Sequence, residues 1–118
     1  ENAAFVYWVT GEEKFARFAS DIFNVWLVGT YYMNPILETE KSCGSVGGWE
    51  PGGICGYYDY EQIHDDLVMH AAMAYDFAFD YLIRHPHAHL KAIGKDTKTV
   101  AAEVFKRFIN IGLLRGRK

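Results

Sequence analysis

The apolar residues of this chain recur at helical spacing in several stretches, and no stretch shows the strong alternation of a half-buried strand. The first stretch predicts a short helix from Asn2 to Val9, and Gly11 can end it in a left-handed cap. Thr10 and Glu13 have the spacing of a capping box, in which each side chain binds the other residue's backbone N–H. The pattern therefore predicts a tight helical hairpin, and the whole chain reads as all-α.

The second helix is predicted from about Glu12 to Tyr32, and Asn34-Pro35 ends it because proline disfavours the helical conformation in the residue before it. One face follows the i, i+3, i+4, i+7 template of a buried stripe. The members of this stripe are Phe15, Phe18, Ala19, Ile22, Phe23, Trp26 and Thr30. The predicted water-facing side contains Glu13, Arg17, Ser20, Asp21 and Asn24.

A longer helix is predicted from about Tyr60 to Arg84, apolar over most of its circumference, and His85-Pro86 stops it. A helix that is apolar nearly all round is typically enclosed, so we expect neighbours on more than one side. A short helical turn before Gly94 and a final amphipathic helix from Lys98 to about Asn110 complete the prediction.

Exposed, enclosed and exposed helices in succession are typical of helical hairpins stacked in two layers. So few helices can form part of such a layer but cannot close it. We therefore expect residues 1–118 to be a single segment of a helical domain, either a fragment of a larger protein or a module that needs partners. The start at Glu1-Asn2, without a basic leader, favours a mature or excised segment.

Composition narrows the classes of function. Hydrophobic residues make up 50% of the chain, enough for a core, while a net charge of −3 argues against a nucleic-acid partner. Charges interrupt every apolar run, so the sequence predicts no membrane span. Cys43 and Cys55 share one loop, and a disulfide and two free thiols both remain open.

The segment between the second and third predicted helices is the strongest candidate for a binding site. It contains six of the 11 glycines together with aromatic and acidic side chains, and an irregular segment of this length is often functional. Aromatic faces can stack on sugar rings while acids bind hydroxyl groups. The predicted substrate-binding residues are Trp49, Glu50, Tyr57, Tyr58 and His64. The alternative, that the aromatic residues only pin the loop to the domain, has equal weight.

The histidines suggest metal sites only weakly. Asp66 and His70 are one helical turn apart, but no third ligand has matching spacing, so a histidine bonded to a carboxylate is favoured. His85, His87 and His89 alternate in a segment that we expect to be a solvated loop. The glycine-rich loop matches no phosphate-binding motif, and the sequence predicts neither a metal nor a cofactor.

Two segments together resemble a known family. Residues 3–26, AAFVYWVTGEEKFARFASDIFNVW, resemble a helical hairpin of polysaccharide lyases with a heparinase II/III-like or alginate-lyase-like (α/α) toroid. Residues 65–82, DDLVMHAAMAYDFAFDYL, resemble the next inner helix of those enzymes, with Ala74-Tyr75-Asp76 at the typical place. Much of the match reflects the packing of helical hairpins, which several toroid families share.

The resemblance implies β-elimination of uronic-acid-containing polysaccharides by a secreted or periplasmic enzyme. In such lyases tyrosine and histidine act as base and acid, and an asparagine or second histidine neutralises the uronate carboxylate. The asparagine/histidine stretch normally follows the inner helix, but Asn110 is the only later asparagine here. The catalytic residues are therefore unknown, and the segment alone is expected to be inactive. The alternatives are a helical scaffold module and a toroid glycoside hydrolase, which would use paired carboxylates.

Overall fold

The structure is a computed structural model that describes residues 1–32 and 67–116, with side chains as far as residue 110. Six helices lie in these ranges: α1 (Asn2–Thr10), α2 (Glu13–Tyr32), α3 (Leu67–Phe77), α4 (Phe79–Arg84), α5 (Ala88–Ala92) and α6 (Thr97–Gly116). These ranges contain no strand, which confirms the predicted all-α class for the described part of the chain. The arrangement of the hairpins in a toroid remains a prediction.

The hairpin of α1 and α2 forms as predicted, but its turn is stabilised differently. Gly11 adopts the expected left-handed conformation, with φ 71°. The reciprocal capping box is wrong, because the Thr10 hydroxyl accepts a hydrogen bond from the Glu12 N–H at 3.2 Å. Glu13 instead directs its carboxylate to Arg84, at 3.2 Å. The turn thus leaves Glu13 available for a contact that is distant in sequence.

Helix α2 packs against α1, α3, α4 and α6 and is the central helix of the described part. Its buried face is rotated from the predicted one. Phe18 and Ile22 were predicted to be buried, yet they are 60% and 59% exposed. Ser20 and Asn24 were predicted to face water, yet both are buried, and Asn24 Nδ2 donates to Ser20 Oγ at 3.0 Å. The buried face includes Ala16, Ala19 and Ser20, small residues that let neighbouring helices approach closely.

Each of the six helices contributes at least one buried apolar side chain to the core. Its apolar members are Ala4, Tyr7, Ala16, Ala19, Phe23, Leu27, Ala74, Ala78, Tyr81, Leu82, Leu90, Val100, Ala101, Val104 and Phe108. Leu27, Leu82 and Leu90 are essentially inaccessible to solvent. Each contributes about 1.5–3 kcal/mol of transfer free energy on burial, so α2, α4 and α5 are tied together mainly by apolar contact.

The predicted helix from Tyr60 to Arg84 appears, over its described part, as α3 and α4. Ala78 separates them with φ −105° and ψ 15°. Its N–H still donates to the Ala74 carbonyl at 3.1 Å, so the helical hydrogen-bond ladder continues across a local distortion. The expected enclosure is wrong for α3, where Ala74 is the buried residue and Met69 is 51% exposed. The packing helices cover one side of α3 and leave its other apolar side open.

Helices α5 and α6 follow, and α6 begins one residue before its predicted start and continues to Gly116, beyond the predicted end at about Asn110. Asp96 caps α6 by accepting hydrogen bonds from the Thr99 N–H at 2.7 Å and from the Thr99 hydroxyl at 2.8 Å. These bonds, that of the N–H first, lower the pKa of Asp96. The inner face of α6 is apolar as predicted, with Val100 and Val104 fully buried. None of the helices in the described ranges combines the length and the apolar character needed to cross a membrane.

Candidate functional site

The five substrate-binding residues predicted from the sequence lie outside the described residues. They are Trp49, Glu50, Tyr57, Tyr58 and His64. The two cysteines, Cys43 and Cys55, lie outside them as well. The candidate site must therefore be sought among the polar side chains that the helices of residues 1–32 and 67–110 bring together.

The described helices bring polar side chains together in two clusters, one near each end of α2. We name them by their tyrosines. The Tyr7 cluster consists of Tyr7, Glu13, Asp80 and Arg84, and the Tyr32 cluster consists of Tyr31, Tyr32, His89, Glu103 and Arg107. Because α2 has 20 residues, its ends are about 30 Å apart. The two clusters are therefore independent sites.

The centre of the Tyr32 cluster is a hydrogen bond between Tyr32 and His89. The Tyr32 hydroxyl lies 2.6 Å from His89 Nε2, and the two ring centroids are 5.4 Å apart at an angle of 64°. Both side chains are exposed, with Tyr32 56% accessible. A phenol and an imidazole in direct contact, open to solvent, can exchange a proton with each other and with a bound molecule.

Local structure explains why His89 reaches this position. His87 Nδ1 accepts a hydrogen bond from the His89 N–H at 3.1 Å and so caps the short helix α5. The next residue, Leu90, is fully buried and anchors α5 in the core. Tyr32 is the last residue of α2, so its side chain projects from the end of a rigid helix. The pair is thus held by a capped helix on one side and a core helix on the other.

Arg107 of α6 completes the Tyr32 cluster. Its Nη1 donates to the Tyr31 carbonyl at 3.0 Å, and its guanidinium lies 5.5 Å from the centroid of the Tyr31 ring. A cation at the carboxyl end of α2 is favourable because the last carbonyl groups of a helix carry partial negative charge. Nη2 of Arg107 binds Glu103, at 2.5 Å. The Tyr31 and Tyr32 rings touch, 5.3 Å apart, so the cluster connects α2, α5 and α6.

The three alternating histidines do not act together. His85 packs on the Tyr81 ring with a centroid distance of 4.3 Å, His87 caps α5, and His89 binds Tyr32. His70 Nδ1 binds the Glu1 carboxylate. In the described ranges no three residues of the types histidine, cysteine, aspartate and glutamate are grouped so that they could hold a metal ion.

In the Tyr7 cluster the tyrosine is buried, while the side chains of Glu13, Asp80 and Arg84 are half or more exposed. The Tyr7 hydroxyl donates to Asp80 Oδ2 at 2.8 Å. This hydrogen bond is the main reason why the pKa of Tyr7 is raised and that of Asp80 is lowered. Arg84 approaches both groups and also pairs with Glu13, the contact that contributes most to its raised pKa. Each member already has a protein partner, so this cluster connects α1, α2 and α4 rather than offering a free group to a ligand.

Sequence reasoning did not identify the Tyr32–His89 pair. Tyr32 was only the end of a predicted helix, and His89 was assigned to a solvated loop. The two residues are 57 positions apart, and nothing in the local pattern of either indicates the other. The one local signal was the alternation of histidines, which pointed to a metal rather than to a tyrosine partner.

Comparison with known proteins adds no further constraint: no family model, curated protein or solved structure matches the chain.

Proposed function

We propose that this chain is a helical segment of a polysaccharide lyase that cleaves uronic-acid-containing polymers by β-elimination. The observation that carries the proposal is the exposed Tyr32–His89 pair, with 2.6 Å between the hydroxyl oxygen and the imidazole nitrogen. Its setting on an all-α scaffold of packed helices agrees with the fold that the resemblance implies. Acidic polysaccharides of this kind occur outside the cytoplasm, so the proposal includes a secreted or periplasmic location.

The chemistry of β-elimination explains why such a pair is useful. A base removes the proton at C5, next to the uronate carboxylate, and an acid protonates the C4 oxygen as the C4–O bond breaks. With the phenolic proton resting on His89, the Tyr32 oxygen takes the C5 proton and the tyrosine formed then protonates the departing oxygen. One hydrogen-bonded pair thereby supplies both the base and the acid.

The carboxylate next to C5 needs a positive or hydrogen-bonding partner to stabilise the charge that develops on proton removal. Arg107 belongs to the same cluster, but Glu103 already binds its guanidinium. The resemblance assigns this task to an asparagine or histidine that follows the inner helix. The proposal accordingly places the neutralising group outside the cluster, in the remainder of the parent chain.

The test is an assay for unsaturated uronate on the longest natural protein that contains this sequence. Alginate and heparan-type polymers are incubated with it, and the absorbance of the new C4–C5 double bond is followed. We expect the absorbance to rise with the wild-type protein and not with Tyr32→Phe or His89→Ala. Tyr7→Phe and His85→Ala are matched controls, since each removes a group of the same chemistry that contacts neither Tyr32 nor His89.

Three outcomes would overturn the lyase proposal or the role of the Tyr32–His89 pair in it. Release of reducing ends without the absorbance change would indicate a glycoside hydrolase. If Tyr32→Phe and His89→Ala cleave the polymer as fast as the wild type, the pair is not catalytic. If the wild-type protein cleaves no acidic polymer, the chain does not belong to a polysaccharide lyase.

A second function, a helical protein-interaction module, is favoured by a different observation. The side of α2 opposite the core carries an apolar stripe of Phe18, Ile22 and Val25, which are 60%, 59% and 74% exposed. Their spacing of 4 and 3 positions places them on one face of the helix. Under the lyase proposal, neighbouring hairpins of the same domain cover this stripe; under the module proposal, another protein does.

Analytical sedimentation of the isolated chain, which measures whether it is monodisperse and whether it binds another protein, distinguishes the two proposals for the stripe. The module proposal expects a stable, well-folded chain that binds one partner, and Ile22→Asp should abolish binding without loss of helix. The lyase proposal expects Ile22→Asp in the longest natural protein to impair folding of the whole domain.

A further inference from the structure

A second candidate site is a groove bounded by α4, α5 and the start of α6. Its volume is about 470 Å³, and its lining includes Phe79, Ile83, Lys91, Lys95 and Lys98. The size lies within the range of about 300–1,000 Å³ that is typical of small-molecule sites. The groove lies away from the Tyr32–His89 pair, because Lys91 follows His89 by two positions and so projects about 200° further around α5.

The groove carries local positive charge on a chain whose net charge is −3. Lys91, Lys95 and Lys98 line it, and none of the three forms a salt bridge within the described residues. The lining acid, Asp96, is engaged with the N–H and hydroxyl of Thr99. Three lysines therefore border an opening whose one lining carboxylate already has hydrogen-bond donors.

The lining also has an apolar part. Phe79 and Ile83 are 38% and 40% exposed, so part of each side chain is accessible from the groove. Tyr75 holds the Phe79 ring by an edge-to-face contact with centroids 5.4 Å apart and planes at 90°. An aromatic ring fixed in this way can present its face to the C–H groups of a ligand at little cost in conformational entropy.

An additional polar group in the lining lacks a partner. Thr97, the first residue of α6, is 2% exposed, and its hydroxyl has no hydrogen-bond partner. This hydroxyl is enclosed, and Asp96 already caps the start of α6, so neither supplies a contact to a ligand in the groove. The lysines and the aromatic ring together indicate an anionic ligand that also has an apolar face.

We propose that the groove is an accessory binding site for acidic sugar units, which holds a polyuronate chain at a distance from the reacting pair. A uronate ring combines a C–H face and a carboxylate in one rigid unit, so it can pack on Phe79 and reach the lysines within a groove of this size. An acidic peptide would need two separate side chains for the same contacts. The inference rests on the proposed function for its polymer, but the site itself takes no part in the elimination.

The experiment measures binding separately from cleavage. Calorimetric titration with uronate oligosaccharides uses the protein carrying Tyr32→Phe, so that the ligand stays intact. Lys91→Gln with Lys95→Gln is expected to weaken binding by roughly tenfold, since two charge-assisted contacts are lost. Lys14→Gln with Lys106→Gln changes the net charge equally outside the groove and should leave the Kd within about twofold. Phe79→Leu, which keeps the site apolar, should weaken binding by removing the ring face.

The outcomes distinguish the groove from the proposed activity. Equal weakening by both lysine pairs would show attraction by net charge only and would overturn the inference. Binding of poly-glutamate with the same affinity would assign the groove to acidic peptides, which also overturns it. If the groove variants bind the oligosaccharide as tightly as the parent protein, the groove is not the binding site, and the lyase proposal is unaffected. If binding depends on the groove lysines but the wild type cleaves no polymer, the groove is a binding site and the lyase proposal is wrong.

Discussion

A tyrosine lies near each end of α2, Tyr7 of α1 at one end and Tyr32 of α2 at the other, in similar hydrogen bonds but in different surroundings. At one end the Tyr7 hydroxyl binds Asp80 at 2.8 Å, and at the other the Tyr32 hydroxyl contacts His89 at 2.6 Å. Each bond joins the N-terminal hairpin to a helix more than 50 positions later in the chain. Yet Tyr7 is 8% exposed and Tyr32 is 56% exposed.

Burial and partner chemistry decide what each tyrosine can do. The hydrogen bond to Asp80 raises the pKa of Tyr7, which keeps the phenol protonated and fixed as a donor. Tyr32 has an imidazole as its partner, a group that can both donate and accept a proton, and solvent reaches both side chains. The same phenol hydrogen bond therefore serves stability at one end of α2 and is available for chemistry at the other.

The largest expected effect concerns activity at Tyr32. Removing its hydroxyl in Tyr32→Phe should lower kcat for polyuronate cleavage by about 10²–10⁴-fold, the usual contribution of general acid–base catalysis. The free energy of unfolding, measured by urea denaturation, should remain nearly unchanged because the side chain is exposed. Tyr7→Phe is the matched control and should retain kcat. Similar losses of kcat in both variants would contradict the division between the two ends.

The next effect is on stability, and here Tyr7→Phe is the test variant and Tyr32→Phe the control. Tyr7→Phe removes the donor closest to the Asp80 carboxylate, which water can then solvate, so the free energy of unfolding should fall by about 0.5–1.5 kcal/mol. Urea denaturation followed by circular dichroism measures the change, with Tyr32→Phe as the control. A Tyr7→Phe protein as stable as wild type would show that apolar packing alone joins α1 to α4.

The sequence predicted this scaffold better than it predicted the site. The hairpin turn at Gly11, the start of α6 after Asp96 and the apolar face of α6 follow from local rules of helix capping and periodicity. Such rules act within one or two turns, so a single stretch of sequence is enough to apply them. The starts of α1, α2 and α6 are accordingly within about one residue of those predicted, whereas α6 continues to Gly116, past the predicted end at about Asn110.

The side that each helix buries depended on partners that the local pattern does not reveal. Helix α2 is apolar on two faces, and the face with small residues became the buried one, which left Phe18 exposed and Asn24 inside. Likewise, the contact between Tyr32 and His89 depends on how α5 packs against the end of α2. Periodicity contains no information about a contact across 57 positions.

A smaller effect should appear in the pH dependence of stability. The hydrogen bond from Tyr7 lowers the pKa of Asp80 in the folded protein. A lowered folded pKa means that the associated stabilisation is present above the pKa of the unfolded carboxyl group, about 3.9, and is lost as the pH falls through the folded pKa. Thermal unfolding between about pH 7 and pH 2 should therefore show a shallower acid limb for Asp80→Asn than for wild type. The side chain of Asp80 is 64% exposed, so solvent screening keeps the difference small. Identical acid limbs would show that the Tyr7 bond does not favour the ionised carboxylate.

The smallest effect is expected at the solvent-facing side of the same cluster. Glu13 and Arg84 form a salt bridge at 3.2 Å, but their side chains are 58% and 50% exposed. Because water and salt screen such a pair, Glu13→Gln should leave the unfolding midpoint within experimental error at physiological salt. Thermal melts at low and high salt, compared with Tyr7→Phe, test this. If Glu13→Gln destabilises as much as Tyr7→Phe, and the loss disappears at high salt, then charge rather than burial of the phenol holds the cluster together. In that case exposure would not be what distinguishes the two ends of α2, and the assignment of Tyr32 to chemistry would have to rest on its histidine partner alone.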